Sequence, residues 1–327
     1  MSTSPSPSPT RRRGGDVEAA QAVTDSPYRY FDVEVLRTEH LTPAMIRVVL
    51  GGPDLARMAS AGRDQRIKIF LPQPGQDDPV MPDTSGGDPV QWYAAWCALD
   101  PSVRGIMRTY TTRDLRRDTG ELVVDFAVHR AEPSPADGPA TAWARTARPG
   151  ARIGVLAPTD AENAAYDFRP SHDTDWLLLT ADESALPAVA GILETLPAGL
   201  PARVWIEVHD LAEQQPLPTR ADAEIHWLTR EGATTDAVRG ADLPEGTPYA
   251  WIAGESATVK AVRRHLVGER GFDRKRVAFS GYWRKDTTTD ELIARDASSG
   301  AASGGPGRTA APAIRVAARS LPRWPVR

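Results

Sequence analysis

The sequence contains only one cysteine, Cys97, among its 327 residues. A disulfide within the chain is therefore excluded, as is an iron–sulfur cluster or zinc site held by several cysteines of one chain. The six histidines are scattered and lack the spacing of metal ligands. This composition fits a reducing compartment, and we expect a cytoplasmic protein without a metal site of its own.

Long hydrophobic runs and a strong net charge are missing as well. No run approaches the roughly 20 apolar residues of a membrane span, so we expect no integral membrane segment. The arginines at 11–13 precede an acidic stretch without an apolar core, which argues against a signal peptide. The formal net charge of −4 argues against a general nucleic-acid-binding protein. The motifs GxSxG, HExxH and GxGxxG are also absent.

Composition divides the chain into four segments. Residues 1–26 are rich in Ser and Pro and then polar, which predicts a disordered extension. Residues 27–168 contain short alternating strands separated by turns, as in a β-barrel or sandwich. Residues 169–293 alternate apolar strands with helices, which predicts an open, mostly parallel α/β sheet. Residues 294–327 are rich in Ser, Gly, Ala and Pro and then basic, and we expect a disordered tail.

One hexapeptide of the first domain, residues 108–113 (RTYTTR), combines two arginines with an aromatic ring and hydroxyls. Strand alternation puts Arg108 and Tyr110 on one side and Thr111 and Arg113 on the other. Such a run can present a flat ring beside the planar guanidinium, which binds phosphate in bidentate fashion. From the hexapeptide alone, a solvated strand with exposed arginines is equally consistent.

A strand that ends at His129 leads through a loop to Gly138-Pro139 and a short helix, residues 140–147. The amides at a helix N-terminus and the positive end of its dipole suit a phosphate group. A lone histidine at a strand end is usually structural. This segment taken alone therefore leaves both interpretations open.

Two strand-to-helix junctions in the second domain are candidate nucleotide sites, because open α/β sheets bind ligands at the carboxyl ends of their strands. The first begins at Asp182 after the buried strand 176–180, and the second begins at Gly254, where glycine permits close ligand approach. On spacing alone, a simple helix cap explains the first junction better, and the second has the same geometry. The caps would be Asp182 or Ser184 in the first and Ser256 in the second.

Six short motifs follow one another along the chain. They are R-x-Y-T-x-R at 108–113, D-F-x-x-H at 125–129, G-P-A-x-x-W-A at 138–144, D-E-[ST]-A-L-P-A at 182–188, A-G-E at 253–255 and G-Y-W-R at 281–284. In this order they resemble the siderophore-interacting protein family, FAD-dependent ferric-siderophore reductases related to ferredoxin-NADP reductases. The resemblance extends from residue 28 to about residue 290.

The resemblance implies an N-terminal Greek-key antiparallel β-barrel that binds FAD, followed by a mostly parallel α/β nucleotide-binding domain. The residues that it assigns to FAD are Arg108, Tyr110, Thr111, Arg113, His129, Ala140, Thr141 and Trp143. Those that it assigns to a nicotinamide nucleotide are Asp182, Glu183, Ser184, Ala185, Gly254 and Glu255. The basic side chains that would attract an anionic ferric siderophore beside the flavin are Lys68 and Arg284.

The implied activity is the reduction of ferric siderophores by a monomer, which releases Fe(II) in intracellular iron acquisition. Electrons would pass from NADPH or NADH, or from a ferredoxin, through FAD to Fe(III). Flavin performs this chemistry, so no catalytic acid or base is expected among the side chains. Two alternatives stay open: a siderophore-binding protein without catalysis, and a general flavin reductase or oxygenase partner.

Overall fold

The strands of the chain form two sheets, one antiparallel and one parallel. The computed structural model describes residues 27–83, 89–128, 132–134, 137–163, 165–291 and 293. The extension and tail that the sequence predicts to be disordered lie outside these residues. None of the helices in this part of the chain is long and apolar enough to cross a membrane.

The first sheet has seven strands in the order β4-β3-β7-β1-β2-β6-β5, and all of its pairings are antiparallel. The strands are β1 (Tyr28–Thr42), β2 (Met45–Gly51), β3 (Arg66–Leu71), β4 (Ile106–Thr111), β5 (Asp114–Arg116), β6 (Glu121–Ala127) and β7 (Arg152–Pro158). Two helices accompany them, α1 (Pro89–Ala98) between β3 and β4 and α2 (Pro139–Thr146) between β6 and β7.

Alternating side chains explain why this sheet curls around a core. In β1, Phe31, Val33 and Val35 are buried while the residues between them are exposed, as expected for a half-buried strand. The sheet bends until edge strand β4 faces β6, where the rings of Tyr110 and Phe126 lie 4.3 Å apart between centroids. The predicted barrel is therefore observed as an antiparallel half-barrel.

The second sheet has five parallel strands in the order β10-β9-β8-β11-β12. They are β8 (Trp176–Asp182), β9 (Pro201–Glu207), β10 (Asp222–Leu228), β11 (Pro248–Glu255) and β12 (Val277–Trp283), with helices α3 (Leu186–Thr195), α4 (Ala233–Gly240) and α5 (Ser256–Gly268). Central strand β8 is apolar throughout because both of its faces are covered, as the sequence predicts. The α/β prediction is thus confirmed.

Two buried carboxylates fix the sheets to one another. Asp64, just before β3, accepts hydrogen bonds from the Phe168 amide (3.0 Å) and from the Trp251 indole of β11 (2.9 Å). Glu213, after β9, accepts one from the Ala44 amide at the β1–β2 turn (3.0 Å). A buried carboxylate is stable only when donors surround it, so each of these contacts requires both sheets.

Candidate functional site

A cavity of about 720 Å³ lies between the half-barrel and the end of β12. Its walls come from β3, β4, α1, the start of α2 and the segment that follows β12. This volume is that of a small-molecule or cofactor site. The cavity is mostly apolar, with a few polar and cationic side chains, and these are the groups that would orient a ligand.

The cavity brings together about half of the residues that the sequence selects. Those that line it are Lys68, Arg108, Tyr110, Thr111, Ala140, Thr141, Ser184 and Arg284. Those that lie elsewhere are Arg113, Trp143, Asp182, Glu183, Ala185, Gly254 and Glu255. His129 lies outside the described residues, so the structure does not test it.

Tyr110 presents its ring to the cavity and is supported from behind. Phe126 packs against one side of it, and Trp143 of α2 packs in turn against Phe126, with 5.6 Å between centroids. Trp143 therefore supports the wall from inside the core. Burial raises the pKa of the Tyr110 hydroxyl above its ordinary value, so this group stays protonated and can donate a hydrogen bond.

Arg108 is held at the cavity wall by a carboxylate from the segment after β12. Its two terminal nitrogens lie 3.1 and 2.6 Å from the two carboxylate oxygens of Asp290, a bidentate pair. One nitrogen also donates to the carbonyl of Met107 at 2.8 Å. The two terminal nitrogens of Arg108 could bind a phosphate in the same way, but in this structure they bind the carboxylate of Asp290.

Lys68 is a buried amine with little compensation for its charge. Its Nζ donates to the hydroxyl of Thr109 at 2.6 Å, and no carboxylate of the described residues forms an ion pair with it. Neighbouring Arg66 is cationic and pairs instead with Asp167 at 2.8 Å. Burial, and then the charge of Arg66, lower the pKa of Lys68 to about 7. A bound anion would favour its charged form.

The N-terminus of α2 also opens onto the cavity. Gly138 precedes the helix and has no side chain that could cap it. Pro139 occupies the first turn, where proline is tolerated because an amide hydrogen at this position would have no partner within the helix. Ala140 and Thr141 line the cavity at this point. Small residues here leave the first-turn backbone accessible to a ligand, and the helix dipole favours an anion.

The carboxylate of Asp182 is already used in hydrogen bonds to neighbouring residues of the protein. Burial raises the pKa of the Asp182 carboxyl, although it accepts hydrogen bonds from Ser184, from the Glu255 amide (2.8 Å) and from the Trp283 indole (2.7 Å). Gly254 has φ +132°, and a Cβ there would lie 2.6 Å from an Asp182 oxygen. The close approach predicted at Gly254 is therefore made by Asp182.

The predicted helix caps at these junctions are wrong. Helix α3 has Ala185 at its N-cap and no side-chain cap, because Asp182 and Ser184 bond to each other. Helix α5 is capped by Glu255, whose carboxylate accepts from two first-turn amides, whereas the Ser256 hydroxyl donates to the carbonyl of Trp283. A carboxylate one position earlier competes better for these amides because it interacts with the helix dipole.

Glu183 and Arg113 are also engaged in contacts within the protein. Glu183 accepts a hydrogen bond from the His209 amide at 2.6 Å. Arg113 lies at a second, smaller cavity of about 220 Å³ and forms a bidentate pair with Glu194 of α3, at 3.0 and 2.6 Å. The pair with Glu194 therefore joins the half-barrel to helix α3 of the second domain.

The cavity wall also contains residues that the sequence does not select, among them Trp92, Tyr93 and Asp290. Trp92 and Tyr93 come from α1, and Asp290 comes from the end of the second domain. The aromatic-rich run WYAAW is a signal that could have indicated a packed wall. Asp290 carries no comparable signal, because its partner Arg108 is 182 positions away.

The antiparallel half-barrel followed by the parallel α/β sheet is a ferredoxin-reductase-like fold. The ferredoxin reductase in carbazole 1,9a-dioxygenase shares this fold at 15% identity, with a TM-score of 0.53 over 79% of this chain and 70% of that chain. Residues 34–162 match the family model of the siderophore-interacting FAD-binding domain, and residues 174–286 match that of the siderophore-interacting protein. The chain belongs to the siderophore-interacting protein family.

Three similar proteins can be aligned with this chain over most of their own length. A siderophore utilization protein from T. fusca is 33% identical, with a TM-score of 0.67 over 80% of this chain and 95% of that one. The NADPH-dependent ferric-chelate reductase of Escherichia coli is 31% identical over 78% of this chain and 93% of its own length. The ferric vibriobactin reductase ViuB of Vibrio cholerae is 28% identical over 77% and 89%.

Proposed function

We propose that this chain is a flavin-dependent reductase of ferric siderophores in intracellular iron acquisition. The observation that carries the proposal is a single cavity in which an aromatic ring and an arginine fork face two further cations, Lys68 and Arg284. A flavin needs the first pair of groups and an anionic iron chelate needs the second. The ferric reductases of V. cholerae and E. coli among the similar proteins support this chemistry.

The residues present fit FAD. The cavity of about 720 Å³ suits a cofactor of this size when part of it stays exposed. Tyr110 would contact the isoalloxazine ring and Thr111 would hydrogen-bond to it. Arg108 and the first-turn amides of α2 would bind the phosphates. Trp143 would hold the Tyr110 wall through Phe126. Arg113 and His129 are the other residues that the family resemblance assigns to FAD.

An anionic ferric siderophore would bind beside the ring, at Lys68 and Arg284. Lys68 is buried and close to a second cation, so an anion that neutralises it gains a strong interaction in a medium of low dielectric constant. Arg284 is exposed and lines the cavity. One cation therefore attracts the chelate and the other fixes it.

The electron donor would bind at the carboxyl edge of the parallel sheet, beside the cavity. Ser184 and Pro187 already line the cavity. The carboxylates of Asp182 and Glu255 are used inside the protein, so contacts to NADPH or NADH would come from Ser184, Ala185 and the backbone at Gly254. The NADPH-dependent relative supports a nicotinamide donor, and a reduced ferredoxin is the alternative donor to test.

Bound FAD would supply the hydride acceptance and single-electron transfer that no side chain can supply. The protein's own part is to bind, orient and shield. Trp92 and Tyr93 of α1 line one side of the cavity and would shield a bound cofactor there. The phenol of Tyr110 keeps its proton and offers a fixed donor. Iron reduced to Fe(II) binds hard oxygen ligands less tightly and leaves.

The test is to purify the protein, record its visible spectrum with added FAD, and follow the reduction of ferric chelates with a ferrous-trapping dye. NADH, NADPH and a reduced ferredoxin are compared as donors. We expect a yellow protein that reduces ferric siderophores faster than it reduces free flavin. A colourless protein that does not bind FAD would overturn the proposal. Chelate binding without flavin would indicate a carrier, and activity on free flavin alone a general flavin reductase.

A further inference from the structure

A short segment after β12 forms one wall of the cavity. We call residues 284–291 and 293 the strap, and most of them line the cavity. The strap begins with a tight turn, in which Arg284 and Thr287 form a bridge and Asp286 has φ +57°. It continues directly from edge strand β12, so its first end is fixed to the parallel sheet.

The other end of the strap contacts the half-barrel at two points. Asp290 forms the bidentate pair with Arg108. Ile293 is buried in an aromatic cluster that contains Phe70 of β3 and Trp92 of α1. The apolar contact of Ile293 is separate from the ion pair and is a second attachment of the strap to the half-barrel. The ion pair can therefore break without unfolding the segment.

The two oxygens of Asp290 occupy the face of Arg108 that would bind a phosphate. Both terminal nitrogens of the guanidinium are used, and its side chain is only 12% exposed. A second anion cannot form the same end-on bidentate pair while Asp290 holds both terminal nitrogens. Asp290 is itself 61% exposed, so its carboxylate can move into solvent at little cost.

We propose that the strap is an anionic latch, in which Asp290 and a phosphate group of FAD compete for Arg108. This inference rests on the proposed function, since it takes Arg108 as a phosphate ligand. Binding FAD then opens the Asp290 contact, while Ile293 keeps the strap at the cavity. The carboxylate holds the arginine in position and lowers the apparent affinity for any anion that needs it.

The size of the effect follows from the exposure of the pair. An ion pair with one well-exposed partner, here Asp290, is weak, so we expect the latch to change the FAD dissociation constant by about three- to fivefold. Asp290→Asn keeps the size of the side chain and removes its charge. Glu291→Gln is the matched control, because it removes the same charge from the next residue, which bonds to Thr288 and not to Arg108.

The experiment is a titration of FAD into flavin-stripped protein, followed by the quenching of flavin fluorescence. We expect Asp290→Asn to bind FAD about three- to fivefold more tightly than the wild type, and Glu291→Gln to stay within about twofold. Equal or weaker binding by Asp290→Asn would overturn the latch, because Asp290 would then only position Arg108. If none of the three proteins binds FAD, the proposed function falls and the latch falls with it.

A second measurement reports on the strap itself. Amide hydrogen exchange of residues 284–291 is compared with and without FAD. We expect faster exchange in the wild type when FAD is added, since the ion pair opens. Slower exchange would mean that the strap closes more tightly over the cofactor and would contradict the latch.

Discussion

The carboxylate of Asp182 lies 2.7 Å from the indole nitrogen of Trp283, and the same oxygen accepts the amide of Glu255 at 2.8 Å. One side chain therefore joins the carboxyl ends of β8, β11 and β12. Trp283 is the last residue before the strap, so this contact also fixes where the cavity wall begins. The junction that the resemblance assigns to a nucleotide is therefore also a structural contact that joins the ends of three strands.

Asp182→Ala should destabilise the protein, because it leaves the Trp283 indole and the Glu255 amide without their acceptor. Losing a buried, charged acceptor costs about 2–4 kcal/mol. Urea unfolding measures the change in the free energy of unfolding. The exposed Asp222→Ala is the control and should stay within about 0.5 kcal/mol of the wild type. A loss at Asp182 no larger than that would contradict the structural role.

Gly254→Ala should be destabilising for a different reason. The backbone φ of +132° is one that side chains rarely adopt, and the new Cβ would lie 2.6 Å from an Asp182 oxygen. We expect a loss of about 2 kcal/mol or more in the free energy of unfolding. Gly240→Ala at the end of α4 is the matched control, since its Cβ meets nothing within 4 Å. A neutral effect at 254 would mean that this junction can rearrange.

The sequence predicts the fold well where patterning is local. Alternation in β1 and the apolar run of β8 each depend on neighbouring residues and on which faces are covered, so they can be recognised without a structure. The cavity wall formed by Arg108 and Tyr110 can also be recognised from the sequence, because strand alternation places both side chains on one face. Contacts between distant segments cannot be recognised in this way.

Asp290 and Asp182 illustrate the limit. Asp290 sits in a polar stretch that resembles any exposed turn, and only the fold brings it to Arg108. Asp182 has the position of a helix cap, but burial beside the ends of β11 and β12 gives it stronger donors than its own helix. Long-range packing overrides local preference at both residues, and local preference is all that the sequence shows directly.

Lys68 should make the stability of the protein depend on pH. Its pKa is about 7 in the folded protein and near 10.5 when unfolded. Between these values the unfolded chain binds the extra proton, so the free energy of unfolding rises with pH; below pH 7 the full cost of burying the charge applies. Lys68→Met should therefore raise the free energy of unfolding most below pH 7. This gain over the wild type should shrink by up to about 4 kcal/mol towards pH 10.

Denaturant unfolding at pH 6, 8 and 9.5 measures this trend. The exposed Lys260→Met is the control for replacing a lysine by methionine. An advantage of Lys68→Met that is the same at all three values would show that the amine stays charged when folded. The hydrogen bond to Thr109 would then compensate for its burial next to Arg66.

The same lysine should make anion binding depend on pH. An anion next to Lys68 favours the charged amine, so above pH 7 binding must take up a proton and the affinity should fall. We expect the dissociation constant of an anionic probe, ferric dicitrate, to rise by about tenfold per pH unit at most between pH 7 and 8.5. Tryptophan fluorescence can follow this binding, since Trp92 and Trp283 line the cavity.

Two variants separate Lys68 from the other cation of the site. Lys68→Met should bind the probe more weakly at pH 6 and lose the dependence on pH. Arg284→Ala should weaken binding at every pH and keep the slope, because a guanidinium does not titrate in this range. If Lys68→Met keeps the slope, the proton is taken up elsewhere, and Lys68 is then a structural amine. Its burial beside Arg66 would in that case be balanced within the protein, through Thr109.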